Sequence, residues 1–142
     1  MIMFVDLDRL KYINDTFGHS DGDFAIKTMA NALIAAAEGS ECYTARFGGD
    51  EFVAAIVTAD ADDGGRYGMR FREILSELSD SAEKPYNIVA SCGFSHEVIT
   101  DSLLIDELIR RSDVLMYMEK SNYKRSRSRE KDAEAAQNGN NA

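Results

Sequence analysis

Proline is almost absent from this sequence. Pro85 is the sole example in 142 residues, so no Pro-rich linker divides the chain. Cysteine is nearly as scarce. Cys42 and Cys92 have neither the paired spacing of a zinc site nor the density of a disulfide framework, and they read as two buried thiols in a reducing cytoplasm. Positive charge is outnumbered, with 16 Lys and Arg against 25 Asp and Glu and a formal net charge of −9. Nonspecific nucleic-acid binding needs a basic face, so no nucleic-acid partner is expected. An acidic protein can still hold a nucleotide when a metal ion mediates between carboxylates and phosphates. No apolar run is long enough to span a bilayer, and the opening MIMFVDLD is too short and too acidic for an export signal. The expectation is a cytoplasmic chain with no membrane segment of its own.

What is present suits one compact domain, because 44% hydrophobic and 29% charged residues are ordinary for a soluble fold and argue against general disorder. Residues 2–5 form a short apolar run ending at Asp6, the pattern of a central strand. Residues 9–17 carry Leu10, Ile13 and Phe17 at helical spacing and end in a turn signal over residues 18–22, where Ser20 or Asp21 can cap the next helix. That helix is predicted over residues 23–37, with Phe24, Ile26, Met29, Leu33 and Ala37 as its apolar stripe. Strands follow at residues 42–47 and 52–57, joined by a tight hairpin at Gly48-Gly49-Asp50-Glu51. A polar loop occupies residues 59–65, a helix residues 67–78, a strand residues 87–94, and a last helix residues 103–120. In that last helix Leu104, Leu108, Val114, Leu115 and Tyr117 are the expected core contacts. Phe4, Phe17, Phe47 and Phe52 and the six methionines are expected in the core. Residues 125–142 read as a charged, disordered tail. The order β-α-α-β-β-α-β-α implies an α/β sandwich, a mixed sheet with helices packed against it.

Two acidic pairs draw attention. Asp6 and Asp8 end the first strand, and Asp50 and Glu51 sit at the hairpin tip. If these strands pair, the carboxylates share one sheet edge and repel one another unless a cation lies between them. Hard divalent cations take one or two carboxylates plus substrate phosphates, so the pattern suggests metal-assisted phosphoryl or nucleotidyl transfer. Either pair alone reads better as solvated turn residues.

The literal strings decide. Arg46-Phe47-Gly48-Gly49-Asp50-Glu51-Phe52 resembles the signature of the GGDEF family, the diguanylate cyclases. The stretch from Phe4 to Asp23 (FVDLDRLKYINDTFGHSDGD) is similar to that family's other strong motif, and Ser112 to Lys120 (SDVLMYMEK) to its last helix. The three stand in the expected order over residues 1–124.

The resemblance implies a central, mostly antiparallel sheet flanked by helices, a nucleotidyl-cyclase or polymerase-palm-like fold with a ferredoxin-like core. It implies an enzyme that condenses two GTP into cyclic di-GMP and two pyrophosphates. A catalytically impaired GTP-binding or protein-interaction module is the alternative. It assigns metal to Asp6, the Leu7 carbonyl, Asp50 and Glu51, with one or two Mg²⁺ or Mn²⁺ per GTP. Asp50 doubles as general base, and Lys11 stabilises transition-state charge. Asn14 and Asp23 read guanine, whose edge offers both donors and acceptors, and His19 lies in the same turn or simply braces it. Gly48 and Gly49 leave room for phosphates, and Lys120 and Lys124 flank the triphosphate. A second copy of the domain completes the reaction, and an upstream sensory domain in the parent protein controls it.

Three departures stand out against that pattern. The sequence opens directly on the first strand, so the family's amino-terminal Asp-x-Leu-Thr-Gly-type segment is expected to be lacking. Gly39 and Cys42 replace the usual Arg and Asp of a product-inhibition site, which implies no inhibition through it. Tyr123 replaces a glycine after the last helix, which puts the family's final strand in doubt.

Overall fold

The computed structural model describes residues 1–60, 62–98, 100 and 104–139. Four strands, β1 (Ile2–Leu7), β2 (Glu41–Arg46), β3 (Glu51–Val57) and β4 (Ala90–Ser95), form one sheet in the order β2-β3-β1-β4. All three pairings are antiparallel. Helices α1 (Leu10–Phe17), α2 (His19–Ala36), α3 (Asp63–Ser81) and α4 (Ile105–Gly139) complete the expected alternation.

β1 lies in the middle of the sheet and every one of its residues is buried. That explains its unbroken apolar run, because a strand covered on both faces needs no polar alternation. Met3, Val5 and Leu7 meet Met29, Leu33, Phe71 and Leu75 in the main core. Ile2 and Phe4 face the other way, with Val53, Leu108 and Met116 in a smaller cluster. β2 is an edge strand and is exposed along nearly its whole length.

Helix α4 reaches the sheet through a residue without a side chain. A Cβ built on Gly93 would stand 1.9 Å from the Ser112 carbonyl oxygen and 2.2 Å from the Met116 amide nitrogen. Only glycine lets the helix backbone come this close to the strand. The contact is fastened by buried hydroxyls. Ser112 Oγ lies 3.0 Å from the Ile2 carbonyl oxygen, and Ser95 Oγ lies 2.7 Å from that of Leu108.

Several expectations change at this level. α2 begins at His19, because the turn needs only Gly18 (φ 95°), and no side chain caps the helix. The stripe of α2 is Ala25, Met29, Ala32, Leu33 and Ala36, with Phe24 and Ile26 only half-buried. α3 is longer than predicted at both ends, and the final strand starts at Ala90 rather than 87. The predicted start of the last helix at 103 lies outside the described residues. The helix runs on past Lys120 to Gly139, since residues 121–137 hold no glycine or proline and many good helix formers. Its buried positions are Leu108, Ser112 and Met116, whereas Leu104, Val114, Leu115 and Tyr117 are exposed. Phe47 is exposed at 60% and meets Phe4 only edge-on, at 5.3 Å between ring centres. Met69 and Met118 are exposed as well.

Candidate active site at the carboxylate edge of the sheet

Pairing of β1 with β3 sets Asp6 opposite Glu51 and draws the Leu7 amide to the Asp50 carbonyl, at 3.0 Å. The two acidic pairs therefore share one edge. Asp6 is 7% exposed and Asp8 is 4% exposed. Asp8 is not a solvated turn residue. It is instead buried, accepting a 2.7 Å hydrogen bond from Ser91 Oγ on β4. At Arg9 the chain leaves the strand in a left-handed conformation (φ 65°) and turns directly into α1.

Lys120 of α4 donates to Asp6 Oδ1. Its neighbour Glu119 anchors the same turn of α4, pairing with Arg72 of α3 at 2.6 Å and accepting the Cys92 amide of β4. Arg46 closes the hairpin tip, its guanidinium donating to the carbonyls of Gly48 and Gly49.

A cavity of about 550 Å³ opens beside this edge, lined by Leu7, Lys11, Asp50, Lys120, Lys124 and Asp8 among others. Six of the residues singled out from the sequence thus meet in one space. Asp6 stands behind Lys120, and Glu51 is its cross-strand neighbour. Gly48 and Gly49 lie outside the lining. So do Asn14, His19 and Asp23, which sit at the α1–α2 junction at the far end of α1. Asn14 is half-buried there. A Cβ on Gly22 would fall 2.0 Å from its Oδ1, so the glycine makes room for this amide on the first turn of α2. His19 and Asp23 are exposed.

Burial raises the carboxyl pKa of Asp6, with the charge of Asp50 adding to the shift and Lys120 opposing it. Burial likewise raises Asp8 and Glu51, and Glu51 feels Asp6, Asp50 and Asp113 as further negative neighbours. A carboxyl whose pKa is raised on folding destabilises the fold when ionised. Its penalty fades as pH falls from above the folded pKa toward the unfolded value. Elsewhere Lys84 lowers Asp21, Arg66 lowers Asp60, and Arg110 and Arg111 hold Glu107 down at about 2. These carboxylates contribute stability above their ordinary values and lose it as pH falls through their lowered ones. In a chelating buffer the melting temperature is therefore expected to rise as the pH falls through the raised pKa values of Asp6, Asp8 and Glu51 toward their ordinary range, and to fall below that range as the lowered carboxylates protonate. A steady fall from neutrality downward would contradict the crowding of these acids.

Mutually repelling carboxylates beside a backbone carbonyl suit a hard divalent cation by donor chemistry. Among the described residues no group of three or more His, Cys, Asp or Glu is gathered closely enough to hold one alone. Such a donor set fits a divalent cation that takes one or two carboxylates and completes its shell with water and substrate phosphates, as Mg²⁺ typically does.

Sequence reading alone did not find Arg46, Ser91 or Glu119 as parts of this edge, nor the bond that joins Asp8 to Ser91. Only Arg46 had a local signal, three positions before the carbonyl it holds. The others act across 27 to 83 positions of sequence.

No helix among the described residues is long and apolar enough to cross a membrane. The family profile described as "Diguanylate cyclase, GGDEF domain" matches residues 1–126. Diguanylate cyclase DgcZ of Escherichia coli K12 is 32% identical over 117 residues, which cover 82% of this chain and 38% of that protein. The GGDEF domain of DgcB from Caulobacter crescentus, solved in complex with c-di-GMP, superposes with a TM-score of 0.69 at 26% identity, over 85% of this chain and 71% of that one. Diguanylate cyclase SiaD of Pseudomonas aeruginosa, solved with its activator SiaC, has the same fold, with a TM-score of 0.73 at 23% identity over 85% of this chain and 46% of that one. The chain spans only about two-fifths of the length of DgcZ. With its motifs, sheet order and profile in agreement, the chain belongs to the GGDEF domain family.

Proposed function

We propose that this domain condenses two GTP molecules into cyclic di-GMP, releasing two pyrophosphates. The observation that carries the reading is the single cavity that joins Leu7, Lys11, Asp50, Lys120 and Lys124 at the carboxylate edge. α1 connects this cavity to the base-reading junction, since Lys11 lies at its start and Asn14 one turn on, about 4.5 Å along the axis. Guanine is held by Asn14 and Asp23, beside His19, while the triphosphate lies toward Lys120 and Lys124. Asp6, the Leu7 carbonyl, Asp50 and Glu51 would hold Mg²⁺ or Mn²⁺, which when bound neutralises phosphate charge and lowers the barrier to nucleophilic attack.

Asp50 takes the proton from the 3′-hydroxyl of one GTP. That oxygen bonds to the α-phosphorus of the other, and the bond to the β-phosphate oxygen breaks as pyrophosphate leaves. Lys11 faces the developing charge. A second turn of the same step closes the ring. One domain presents one nucleotide, so two copies meet face to face, and alignment of the two substrates supplies much of the rate.

One observation favours the alternative, a domain that binds GTP without turning it over. Lys120 already holds Asp6, a carboxylate the chemistry needs. Incubating the chain with GTP and Mg²⁺ over a range of protein concentrations, with chromatographic separation of products, decides between them. Cyclic di-GMP formed at a specific rate that climbs with protein concentration is the expected result. Saturable GTP binding without product would establish the binding module instead.

A further inference from the structure

The junction of α1 and α2 holds the two side chains assigned to guanine, yet α2 begins there with no side-chain cap. Its first turn is secured from outside by the segment that connects α3 to β4. Tyr86 Oη donates to Asp21 Oδ1 at 2.6 Å and lies 3.3 Å from the Asp21 carbonyl oxygen. Lys84 Nζ pairs with the same carboxylate oxygen at 2.8 Å. The rings reinforce the contact. Phe17, the last residue of α1, packs against Tyr86 with ring centres 4.9 Å apart and planes tilted by 39°, and Tyr12 meets Phe17 edge-on at 6.0 Å. Lys84 also lies over the Phe24 ring, 5.1 Å from its centre. Tyr86 is buried, and the Asp21–Lys84 pair is largely withdrawn from solvent, with side-chain exposures of 22% and 33%. These two lysine and tyrosine donors are what hold the Asp21 carboxyl below its ordinary range.

From Asp21 the restraint passes to both base-reading positions by short covalent and packed paths. Gly22 is the next residue and receives the Asn14 amide against its backbone, and Asp23 follows it. Asp21 and Gly22 also hang from the carbonyl of Gly18, at 3.1 and 3.2 Å, while the Gly18 amide binds the Asn14 carbonyl at 3.0 Å. A shift of Asp21 therefore moves the frame on which Asn14 and Asp23 are set. Hydrogen-bond readout of a base edge tolerates little displacement, because a donor and acceptor pair weakens steeply away from its ideal geometry.

We infer that Tyr86 and Lys84, through Asp21, are positioning residues for nucleobase recognition, setting guanine affinity and selectivity without touching the nucleotide's reacting atoms. The inference rests on the assignment of Asn14 and Asp23 to guanine. None of the three residues lines the cavity that holds Lys11 and Asp50, so the phosphate end of the site is left alone.

The test is equilibrium binding of GTP, ITP and ATP in Mg²⁺ buffer to the wild-type chain and to Tyr86→Phe and Asp21→Asn, each first checked by thermal melting. ITP lacks the exocyclic amino group of guanine. The Phe variant keeps the ring contact and removes one hydroxyl, so it is the gentler of the two. Expected is a loss of GTP affinity of about tenfold in Tyr86→Phe, the scale of one hydrogen bond to a charged group, with ATP binding moved far less and the GTP-over-ITP preference reduced. Equal loss for all three nucleotides, or a lowered melting point with GTP affinity intact, would make the contact purely structural and overturn the inference. A wild-type chain with no preference for GTP over ATP would overturn the guanine assignment itself, and this inference with it.

Discussion

Asp50→Ala is expected to reduce cyclic di-GMP formation by about a thousandfold or more, with the fold intact. The size follows from the role, since a positioned general base alone contributes about 10²–10⁴-fold, and Asp50 is also assigned to the metal. The preserved fold follows from how Asp50 is held. Its tie to the protein is its backbone carbonyl, which accepts the Leu7 amide and survives the substitution. No hydrogen bond to its carboxylate forms among the described residues. Removing the side chain also relieves Asp6 and Glu51 of a negative neighbour, so the variant should melt no lower than the wild type. Melting curves and product chromatography on the same sample separate the two effects. Turnover within tenfold of wild type would remove Asp50 from the mechanism.

Gly93→Ala should be the most damaging small substitution in the chain. The added methyl would have to occupy space within 2.2 Å of two backbone atoms of α4, from Ser112 and Met116. Backbone in the middle of a packed helix cannot yield as a side-chain tip can. The helix must lift away, and in doing so it loosens Leu108 and Met116 from the smaller core and strains the Ser112 and Ser95 hydroxyl contacts. Overpacking of this kind costs about 3 kcal/mol or more. For a domain of this size that is roughly 10 °C in melting temperature. Because Lys120 rides on the same helix one turn beyond Met116, activity is expected to fall at temperatures where the variant is still folded. Calorimetry of the variant checks the first effect, and a melting point within about 2 °C of wild type would show that α4 is not seated on β4 as described.

What could be read from the sequence was decided by how local each cause is. β1 announced itself by the apolar run Ile2 to Val5, since a strand buried on both faces shows no polar alternation there. The carboxylate edge was legible from its motifs, and the pairing of Asp6 with Glu51 needed only the usual consequence of a hairpin beside a central strand. α4 was misread at its centre for a physical reason. Its contact face is built on Ser112, a small polar residue chosen for closeness to Gly93, and a search for large apolar residues passes over it. Phe47 looked like core from its type alone, but it stands just past the end of β2 and stays exposed, with one edge-on contact to Phe4. The Asp8–Ser91 bond and the Asp21–Tyr86 bond join residues 83 and 65 positions apart, and neither partner carries a local mark of the other. The start of α2 was placed too late because Ser, Asp and Gly in succession imitate a turn, whereas Gly18 by itself makes the bend.

The central position of β1 has a consequence during synthesis. Its hydrogen-bonding edges are completed by strands far downstream, and Leu7 waits for Ala90, 83 positions later. At about 5–20 residues per second, a ribosome needs roughly 4–17 s to cover that interval. Throughout it an apolar strand, Ile2 to Val5, has at least one edge open, and both until β3 is made, in the kind of segment that pairs readily with other chains. Slow growth of the nascent chain, not the equilibrium stability of the finished domain, is then the stage at which this sequence is most exposed to aggregation.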